Sequence, residues 1–264
     1  MSYYSHTHFS LVLVIPCYNE FGRLQTEVFH SFLQKKNNVA IVFSNDGSRD
    51  NTLEILHKIK AGAPNQVFIN NLKTNSGKAA AVRSGFLFSE KHLRFSKIAY
   101  LDADLSTTLD ECLKLSKLID NKVLFVFGSR ISKIDNIINR KLLRFFIGRL
   151  IATLISMQLK LSIYDSQCGC KVFRADLARQ LFKERFLSKW LFDVELFHRL
   201  IQLIGKNSIK HTVKEIPLES WIDTSNSKVK ISYFFTLWYD LILISKKYKT
   251  QTKTSWKAVL QSIL

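Results

Sequence analysis

Two carboxylates, Asp102 and Asp104, follow a short apolar run that extends from Ile98 to Leu101. The run predicts a buried strand, and side chains two residues apart in an extended chain point to the same side. Asp102 and Asp104 could therefore contact one ligand together at the carboxyl end of a strand, where open α/β sheets bind ligands. A hard divalent cation that keeps some waters and takes phosphate oxygens would offset their repulsion. The alternative is a solvated turn after the strand.

Four further apolar runs predict strands, and helical segments separate them. The predicted strands are Phe9 to Ile15, Val39 to Phe43, Val67 to Ile69 and Val123 to Phe127. The predicted helices are Glu27 to Leu33, a segment capped at Asp50 or Asn51 that runs through Leu56 to Ile59, Ala79 to Phe88, and Leu109 to Ile119. This alternation at βαβ spacing predicts an α/β fold with a mostly parallel sheet and helices on both faces.

Polar side chains follow every predicted strand. They are Tyr18 with Glu20, Asp46, Asn75 with Lys78, the acidic pair, and Ser129 with Arg130. Because the carboxyl ends of parallel strands meet at one edge of a sheet, we expect these side chains to line one cleft. The coincidence favours a shared site over a series of solvated turns.

Gly77 and Lys78 stand at the predicted start of a helix. Free N–H groups, the helix dipole and a cation converge there, which suits a phosphate, although an ordinary capped helix is the alternative. The segment is not a Walker A loop, because the first Gly and the Ser or Thr after the Lys are absent. A G-x-G-x-x-G motif is also absent from the sequence, which counts against a dinucleotide-binding fold.

The composition indicates an anionic partner. The 264 residues include 39 Lys and Arg against 21 Asp and Glu, a formal charge of +18. A phosphate-rich substrate or an anionic membrane surface fits this balance, whereas no basic motif interleaved with aromatic residues predicts nucleic-acid binding. Four cysteines without zinc-site spacing indicate reduced thiols in a cytosolic compartment. Neither an apolar signal stretch nor a run of about 18 uncharged apolar residues is present, so neither secretion nor a spanning helix is expected.

Taken together, the motifs resemble those of the family-2 glycosyltransferases, which have the GT-A fold. The family motifs are Val14-Ile15-Pro16-Cys17-Tyr18-Asn19-Glu20, Asn45-Asp46-Gly47-Ser48-Arg49-Asp50-Asn51-Thr52, Asn75-Ser76-Gly77-Lys78 and Asp102-Ala103-Asp104. Within the family, the chain is most similar to dolichyl-phosphate glucosyltransferases and bacterial polyprenyl-phosphate relatives. That narrower resemblance depends on the segments 165–171 and 190–196, on Glu215-Ile216-Pro217, and on Trp221 with Ser227-Lys228. The resemblance extends over about residues 9 to 235.

The resemblance implies a donor site formed by the first three motifs. Pro16, Tyr18 and Glu20 would line the nucleotide pocket. Asp46 would hold the base, and Lys78 would face the nucleotide or its phosphates.

The later motifs would complete the site. Asp102 would hold the ribose or sugar side, and Asp104, with Asp102, would ligate Mg²⁺ or Mn²⁺. Arg130 and Lys171 would meet phosphate charge from the donor or the acceptor, and Gln167 would contact substrate.

Asp193 stands where relatives place a catalytic carboxylate. It begins a predicted helix, Phe192 to Ile204, in which Asp193 and Glu195 diverge and do not form a ready pair. A helix-start Asp with a solvated Glu is the alternative. The acceptor decides whether a base is needed, because a sugar hydroxyl requires proton removal, whereas a lipid phosphate is already anionic near neutral pH and attacks without it.

The implied activity is inverting transfer of a hexose from a nucleotide-diphosphate sugar, with UDP-glucose first, to polyprenyl (dolichyl or undecaprenyl) phosphate. The alternative is transfer to a saccharide acceptor in cell-surface polysaccharide synthesis. A sugar-phosphate nucleotidyltransferase would need a Gly-rich, Arg-containing loop after the first strand, where this chain has Cys17-Tyr18-Asn19-Glu20. A non-catalytic lipid-binding relative is a further alternative.

Two more segments predict helices with apolar residues on more than one side, Leu142 to Ile163 and Ile231 to Ile244. The second is followed by Lys246, Lys247 and Lys249, and aromatic residues beside cations suit a lipid interface. We therefore expect a domain over 1–235, a basic helical tail over 236–264, and peripheral attachment to the cytoplasmic face of a membrane. Two buried core helices are the alternative, and an oligomer is compatible with either.

Overall fold

The computed structural model of the protein describes residues 7–139, 142–222 and 233–250. The strands are β1 (His8–Phe9), β2 (Leu11–Cys17), β3 (Val39–Asp46), β4 (Val67–Leu72), β5 (Arg94–Phe95), β6 (Lys97–Leu101), β7 (Phe125–Ser129), β8 (Ile137–Asn139), β9 (Cys170–Arg174), β10 (Val213–Pro217) and β11 (Ser220–Ile222). The helices are α1 (Thr26–Gln34), α2 (Thr52–Gly62), α3 (Lys78–His92), α4 (Leu109–Ser116), α5 (Leu142–Leu159), α6 (Ala175–Leu181), α7 (Phe192–Ile204), α8 (Lys206–Thr212) and α9 (Tyr233–Thr250).

One sheet of the described chain has the strand order β10-β7-β9-β6-β2-β3-β4. Its neighbours are parallel except at β9, which runs antiparallel between β6 and β7. Two small parallel pairs, β1 with β5 and β8 with β11, flank it. The expected α/β fold with a mostly parallel sheet is confirmed.

The core lies on both faces of this sheet because side chains alternate along each strand. In β2, Val12 and Val14 join the apolar cluster that α3 and α5 to α9 cover. Leu11, Leu13 and Ile15 join the opposite cluster, which α1, α2 and α4 cover. Helices on both faces are therefore confirmed, and the near-continuous burial of β2 follows from its cover on both sides.

Several helices differ in length from their predictions. Helix α3 continues to His92 instead of Phe88, and α4 ends at Ser116 instead of Ile119. Helix α5 ends at Leu159 instead of Ile163, because Lys160 has a φ of 52°, a left-handed conformation that stops an α-helix. Helix α9 begins at Tyr233 and continues to Thr250. Helix α7 has the predicted bounds. Ser227-Lys228, the side chain of Lys249 and the tail 251–264 lie outside what the structure describes.

Helix α9 packs one side on the main core and leaves the other side exposed. Its buried residues are Leu237, Leu241, Ile244 and Tyr248, and its exposed apolar residues are Trp238, Tyr239, Ile242 and Leu243. The expected boundary at residue 235 falls inside this helix, and the division into a domain and a tail stays a prediction. No helix in the described ranges is long and apolar enough to span a bilayer.

Candidate active site

The carboxyl ends of six parallel strands and the start of antiparallel β9 meet at one edge of the sheet. Leu101, the last residue of β6, is opposite Cys170, the first residue of β9. The Asp102 N–H donates to the Gly169 carbonyl at 3.1 Å. A Cβ at Gly169 would stand 2.2 Å from Oδ2 of Asp102. Gly169 therefore lets the β9 turn approach the acidic pair as closely as it does.

Each member of the acidic pair contacts a different cation. Asp102 Oδ1 lies 2.6 Å from Nζ of Lys78, and Asp104 Oδ2 lies 3.3 Å from the Arg23 guanidinium. Asp104 Oδ1 also accepts the N–H of Ser106 at 3.0 Å. Burial would lower the pKa of Lys78, but the carboxylates around it, Asp102 first, raise that pKa above its ordinary value. The structure thus brings Lys78 to the acidic pair.

Arg23 links the acidic pair, Asp102 and Asp104, to the loop that follows β2. Its guanidinium also lies 3.3 Å from the carboxylate of buried Glu20. The Glu20 N–H donates to the Thr52 hydroxyl at 2.7 Å, which ties this loop to the start of α2. Sequence reasoning missed Arg23, although its position three residues after Glu20 was an available signal.

Asp46 holds the segment before α3. One carboxylate oxygen accepts the N–H of Ser76 and the other that of Gly77, both at 2.8 Å. Burial raises the pKa of Asp46 although these two hydrogen bonds oppose the rise. The Ala79 N–H donates to the Lys189 carbonyl at 3.2 Å. The prediction of free N–H groups for a phosphate at this helix start is therefore wrong at these three positions, and the Asp46 contact with a base stays a prediction.

Arg130 is paired with a buried carboxylate of the segment before β9. Its guanidinium forms a two-point contact with Asp165, at 2.6 and 2.8 Å, and lies over the ring of Trp221 at 5.3 Å. Burial would raise the pKa of Asp165, but Arg130 holds it at about 2. Glu215 accepts the N–H groups of Tyr164 and Asp165 at 2.9 and 2.7 Å. The expected phosphate contact of Arg130 stays a prediction, since in this structure its charge is directed at Asp165.

Lys171 and Asp193 form a buried pair beneath the edge. Nζ of Lys171 lies 2.9 Å from Asp193 and donates to the Cys168 carbonyl at 2.7 Å. The hydroxyl of Tyr100, a β6 residue, donates to the same Asp193 oxygen. Lys171 is 0% exposed. The expected contact of Lys171 with phosphate stays a prediction, since in this structure its ammonium is enclosed and directed at Asp193.

Asp193 and Glu195 separate as expected. Glu195 accepts from Arg199 at 2.9 Å and from the Tyr248 hydroxyl at 2.8 Å, away from the Asp193 cluster. Tyr100 and Lys171 both contact Oδ1 of the buried Asp193 carboxylate. The catalytic role of Asp193 stays a prediction. Tyr100 was missed, although a tyrosine in a buried strand needs a hydroxyl partner.

The remaining predicted residues are half-buried around the same edge. Pro16 lies near the end of β2, Tyr18 just beyond it, and Gln167 precedes the start of β9. Their substrate-binding roles stay predictions. The hydroxyls of Ser129 and Ser166 are buried beside Arg130 and Asp165 with no hydrogen-bond partner in the described part of the chain. A water or a ligand oxygen would satisfy them.

The acidic pair suits a metal ion that brings other ligands with it. Within the described residues, no group of three or more His, Cys, Asp or Glu side chains could hold an ion. Mg²⁺ commonly uses one or two carboxylates together with waters and substrate phosphates. Asp102 and Asp104 fit that mode of binding.

Comparison with known proteins agrees with the motif resemblance. Residues 12–182 match the family described as "Glycosyl transferase family 2". The chain belongs to glycosyl transferase family 2. It is 34% identical to a dolichyl-phosphate beta-glucosyltransferase of Trichomonas vaginalis, over 88% of this chain and 69% of that protein. It is 31% identical to the dolichyl-phosphate beta-glucosyltransferase of Saccharomyces cerevisiae, over 90% of this chain and 75% of the relative.

Solved structures confirm the GT-A fold of this family-2 glycosyltransferase. Glucosyl-3-phosphoglycerate synthase from Mycobacterium tuberculosis, crystallised with Mn²⁺, uridine diphosphate and glucosyl-3-phosphoglycerate, superposes with a TM-score of 0.65 at 12% identity. The alignment covers 91% of this chain and 80% of that one. Mannosyl-3-phosphoglycerate synthase from Rubrobacter xylanophilus gives a TM-score of 0.66 at 13% identity, over 95% of this chain and 77% of its own.

Proposed function

We propose that this glycosyltransferase moves glucose from UDP-glucose to a polyprenyl phosphate of the dolichyl type. The observation that carries the proposal is its similarity to dolichyl-phosphate beta-glucosyltransferases over about nine tenths of its length. That similarity extends well past residue 182, where the general family match ends. The segments beyond it include α7 with Asp193 and the strand β10 with Glu215.

The buried position of Asp193 supports a phosphate acceptor. A sugar hydroxyl must lose a proton when it attacks, which requires a base that faces it. The Asp193 carboxylate instead accepts from Tyr100 and pairs with Lys171. An acceptor phosphate is already anionic, so one of its oxygens bonds to the anomeric carbon while the bond from that carbon to the donor diphosphate breaks. The configuration inverts, and UDP carries away the electron pair.

Cations at the sheet edge would stabilise the departing diphosphate. Lys78 lies at the start of α3 and is held by Asp102, and Arg23 lies on Asp104. Positioned charges act most strongly in a site that excludes water. We further propose that Asp102 and Asp104 hold Mg²⁺ or Mn²⁺, which would act as a Lewis acid toward the diphosphate. Both carboxylates would then exchange contacts with Lys78 and Arg23 for contacts with the ion.

The exposed side of α9 supports attachment to an anionic cytoplasmic leaflet. Trp238, Tyr239 and Ile242 are 46%, 65% and 54% exposed on one side of the helix, beside exposed Lys246. Helix α5 lies close by, since Gln158 donates to the Leu241 carbonyl at 3.3 Å, and its Met157 is 69% exposed. Aromatic and aliphatic residues beside lysines are typical of helices that lie in a lipid interface.

The proposal is tested with purified protein and radiolabelled UDP-glucose. We expect label to enter the lipid phase when dolichyl or undecaprenyl phosphate is supplied. EDTA should abolish the transfer, and Mn²⁺ or Mg²⁺ should restore it. The same donor with saccharide acceptors serves as the comparison. Transfer only to a sugar hydroxyl would overturn the proposed acceptor, and full activity in EDTA would overturn the metal.

A further inference from the structure

Lys189 lies against the start of α3, beside the proposed donor site. An added Cβ at Gly77 would stand 3.2 Å from Cβ, Cγ and Cδ of Lys189, so the side chain runs along this glycine. The Lys189 carbonyl accepts the Ala79 N–H at 3.2 Å. Its positive charge also acts on the Asp46 carboxylate, where it opposes the rise in pKa that burial causes. The residue is exposed, although its main chain is part of the site.

Four other cations of this edge are already paired with carboxylates. The ion pairs are Lys78 with Asp102, Arg23 with Asp104, Lys171 with Asp193, and Arg130 with Asp165. Among the residues that the structure describes, Lys189 forms no ion pair within 4.0 Å. Its ammonium is therefore available to an incoming anion without the loss of an ion pair.

Hydrogen bonds of Ser188 fix the loop around Lys189. Ser188 is buried, and its hydroxyl donates to Asp240 of α9 at 2.6 Å. The same hydroxyl accepts the N–H groups of Trp190 at 3.2 Å and Leu191 at 2.8 Å. The main chain is thus fixed on both sides of Lys189 while its side chain stays in solvent. A fixed main chain reduces the entropy that a ligand contact must overcome.

We propose that Lys189 binds a phosphate group of the substrate at this edge of the sheet. The proposal rests on the proposed function, in which both the donor diphosphate and the lipid phosphate of the acceptor offer this chemistry. A lysine ammonium is a point charge with three donors and binds phosphate oxygens well.

The first test is nucleotide binding by calorimetry with Mn²⁺ present. In the Lys189→Ala variant we expect the Kd of UDP to rise about tenfold, the effect of one charge-assisted contact of about 1.4 kcal/mol. The Kd of uridine should change less than twofold, because uridine carries no phosphate. Lys189→Arg should recover most of the UDP affinity. Lys183→Ala is the matched control, since Lys183 is an exposed lysine of the same connection whose carbonyl contacts Arg83 instead.

Steady-state kinetics separate the two phosphate sources. A normal Kd for UDP with a tenfold higher KM for polyprenyl phosphate would assign Lys189 to the acceptor phosphate. Unchanged values for both ligands in a folded variant would overturn the proposal. If Lys189→Ala unfolds, Lys189→Gln provides the same comparison with more of the side chain kept. Failure of the wild-type protein to bind UDP at all would count against the proposed function and not against Lys189.

Discussion

At the scale of single residues, the cleft is organised by opposite charges in contact. Lys78 and Arg23 lie on the two carboxylates where a divalent ion would bind. A carboxylate pair left alone would repel, and these cations offset the repulsion in the protein without a ligand. Both carboxylates already have a cationic partner. Binding of a donor with its metal ion must therefore change the contacts of Lys78 with Asp102 and of Arg23 with Asp104.

Replacing Asp104 tests this arrangement. We expect Asp104→Ala to lower kcat at least about 100-fold, the order of loss seen when one stabilising group of a reacting centre is removed. The fold should persist, because Asp104 is partly exposed and belongs to neither apolar cluster of the core. Radiolabel transfer and thermal unfolding measure the two effects.

Asp110→Ala is the control for that variant, since Asp110 is an exposed carboxylate at the start of α4. It should retain nearly full turnover. Unchanged turnover in Asp104→Ala would remove the metal assignment.

The sequence alone places the acidic pair and Lys78 correctly because each follows its strand by a short, fixed number of residues. It does not reveal that Asp193 meets Tyr100, because these residues are 93 positions apart. The same limit applies to Lys189, whose contact with Gly77 depends on how the loop before α7 folds back. Short-range spacing predicts which residues share an edge, whereas ion-pair partners depend on tertiary packing.

At the scale of elements, the segment before β9 is fixed by two strands. Arg130 follows β7 and pairs with Asp165, while Glu215 of β10 accepts two N–H groups of this segment. Gln167 and Gly169 lie within the same turn, so their positions depend on both strands. A change in this network should therefore alter the positions of Asp102 and Asp104, because Gly169 contacts Asp102.

The Asp165 pair predicts a specific loss of stability in acid. The pKa of Asp165 is about 2 in the folded protein against an ordinary 3.8, because Arg130 outweighs the effect of burial. A lowered pKa contributes stability that is present above about pH 4 and is lost as pH falls toward 2. The shift corresponds to about 2 kcal/mol of unfolding free energy.

Urea unfolding at several pH values measures this contribution. Asp165→Asn should be less stable than wild type at pH 6, and the gap should narrow between pH 4 and pH 2. Asp135→Asn, at an exposed carboxylate, should follow the wild type throughout. If the difference in unfolding free energy between the wild type and Asp165→Asn does not change with pH, Asp165 stabilises the fold through packing and not through its charge.

Strand β9, like β10 of the same sheet, is one of the elements that sequence periodicity could not supply. Its residues Cys170–Arg174 mix buried apolar positions with the buried cation Lys171, so no simple alternation marks a strand. Its antiparallel direction follows from its partners β6 and β7, which the local pattern does not specify. Five parallel strands were predictable because each is a compact apolar run between polar segments, whereas parallel β10 contains Lys214 and Glu215.

At the scale of the whole molecule, net charge and exposed apolar surface favour a membrane partner. The chain carries +18, and α9 and α5 both leave apolar side chains in solvent. We expect wild-type protein to float with anionic liposomes at low salt and less at high salt, because salt screens the electrostatic part of the attraction.

A double variant, Trp238→Glu with Ile242→Glu, should lower the floated fraction severalfold while α9 keeps its buried side. Val28→Glu, at an exposed apolar position of α1, is the matched control and should float normally. No flotation of the wild type at either salt concentration would end the interfacial hypothesis.

The strand order also has a consequence for synthesis on the ribosome. Strands β2, β3, β4 and β6 are mutual neighbours and can pair as they emerge, whereas β7 has no place beside β6 until β9 arrives to lie between them. Proteins generally begin to fold from the amino-terminal side during translation. A nascent chain would thus pair four strands of its sheet early and wait about forty residues after β7 for the strand that joins β7 to them, so the reaction centre would be completed only after β9 has emerged.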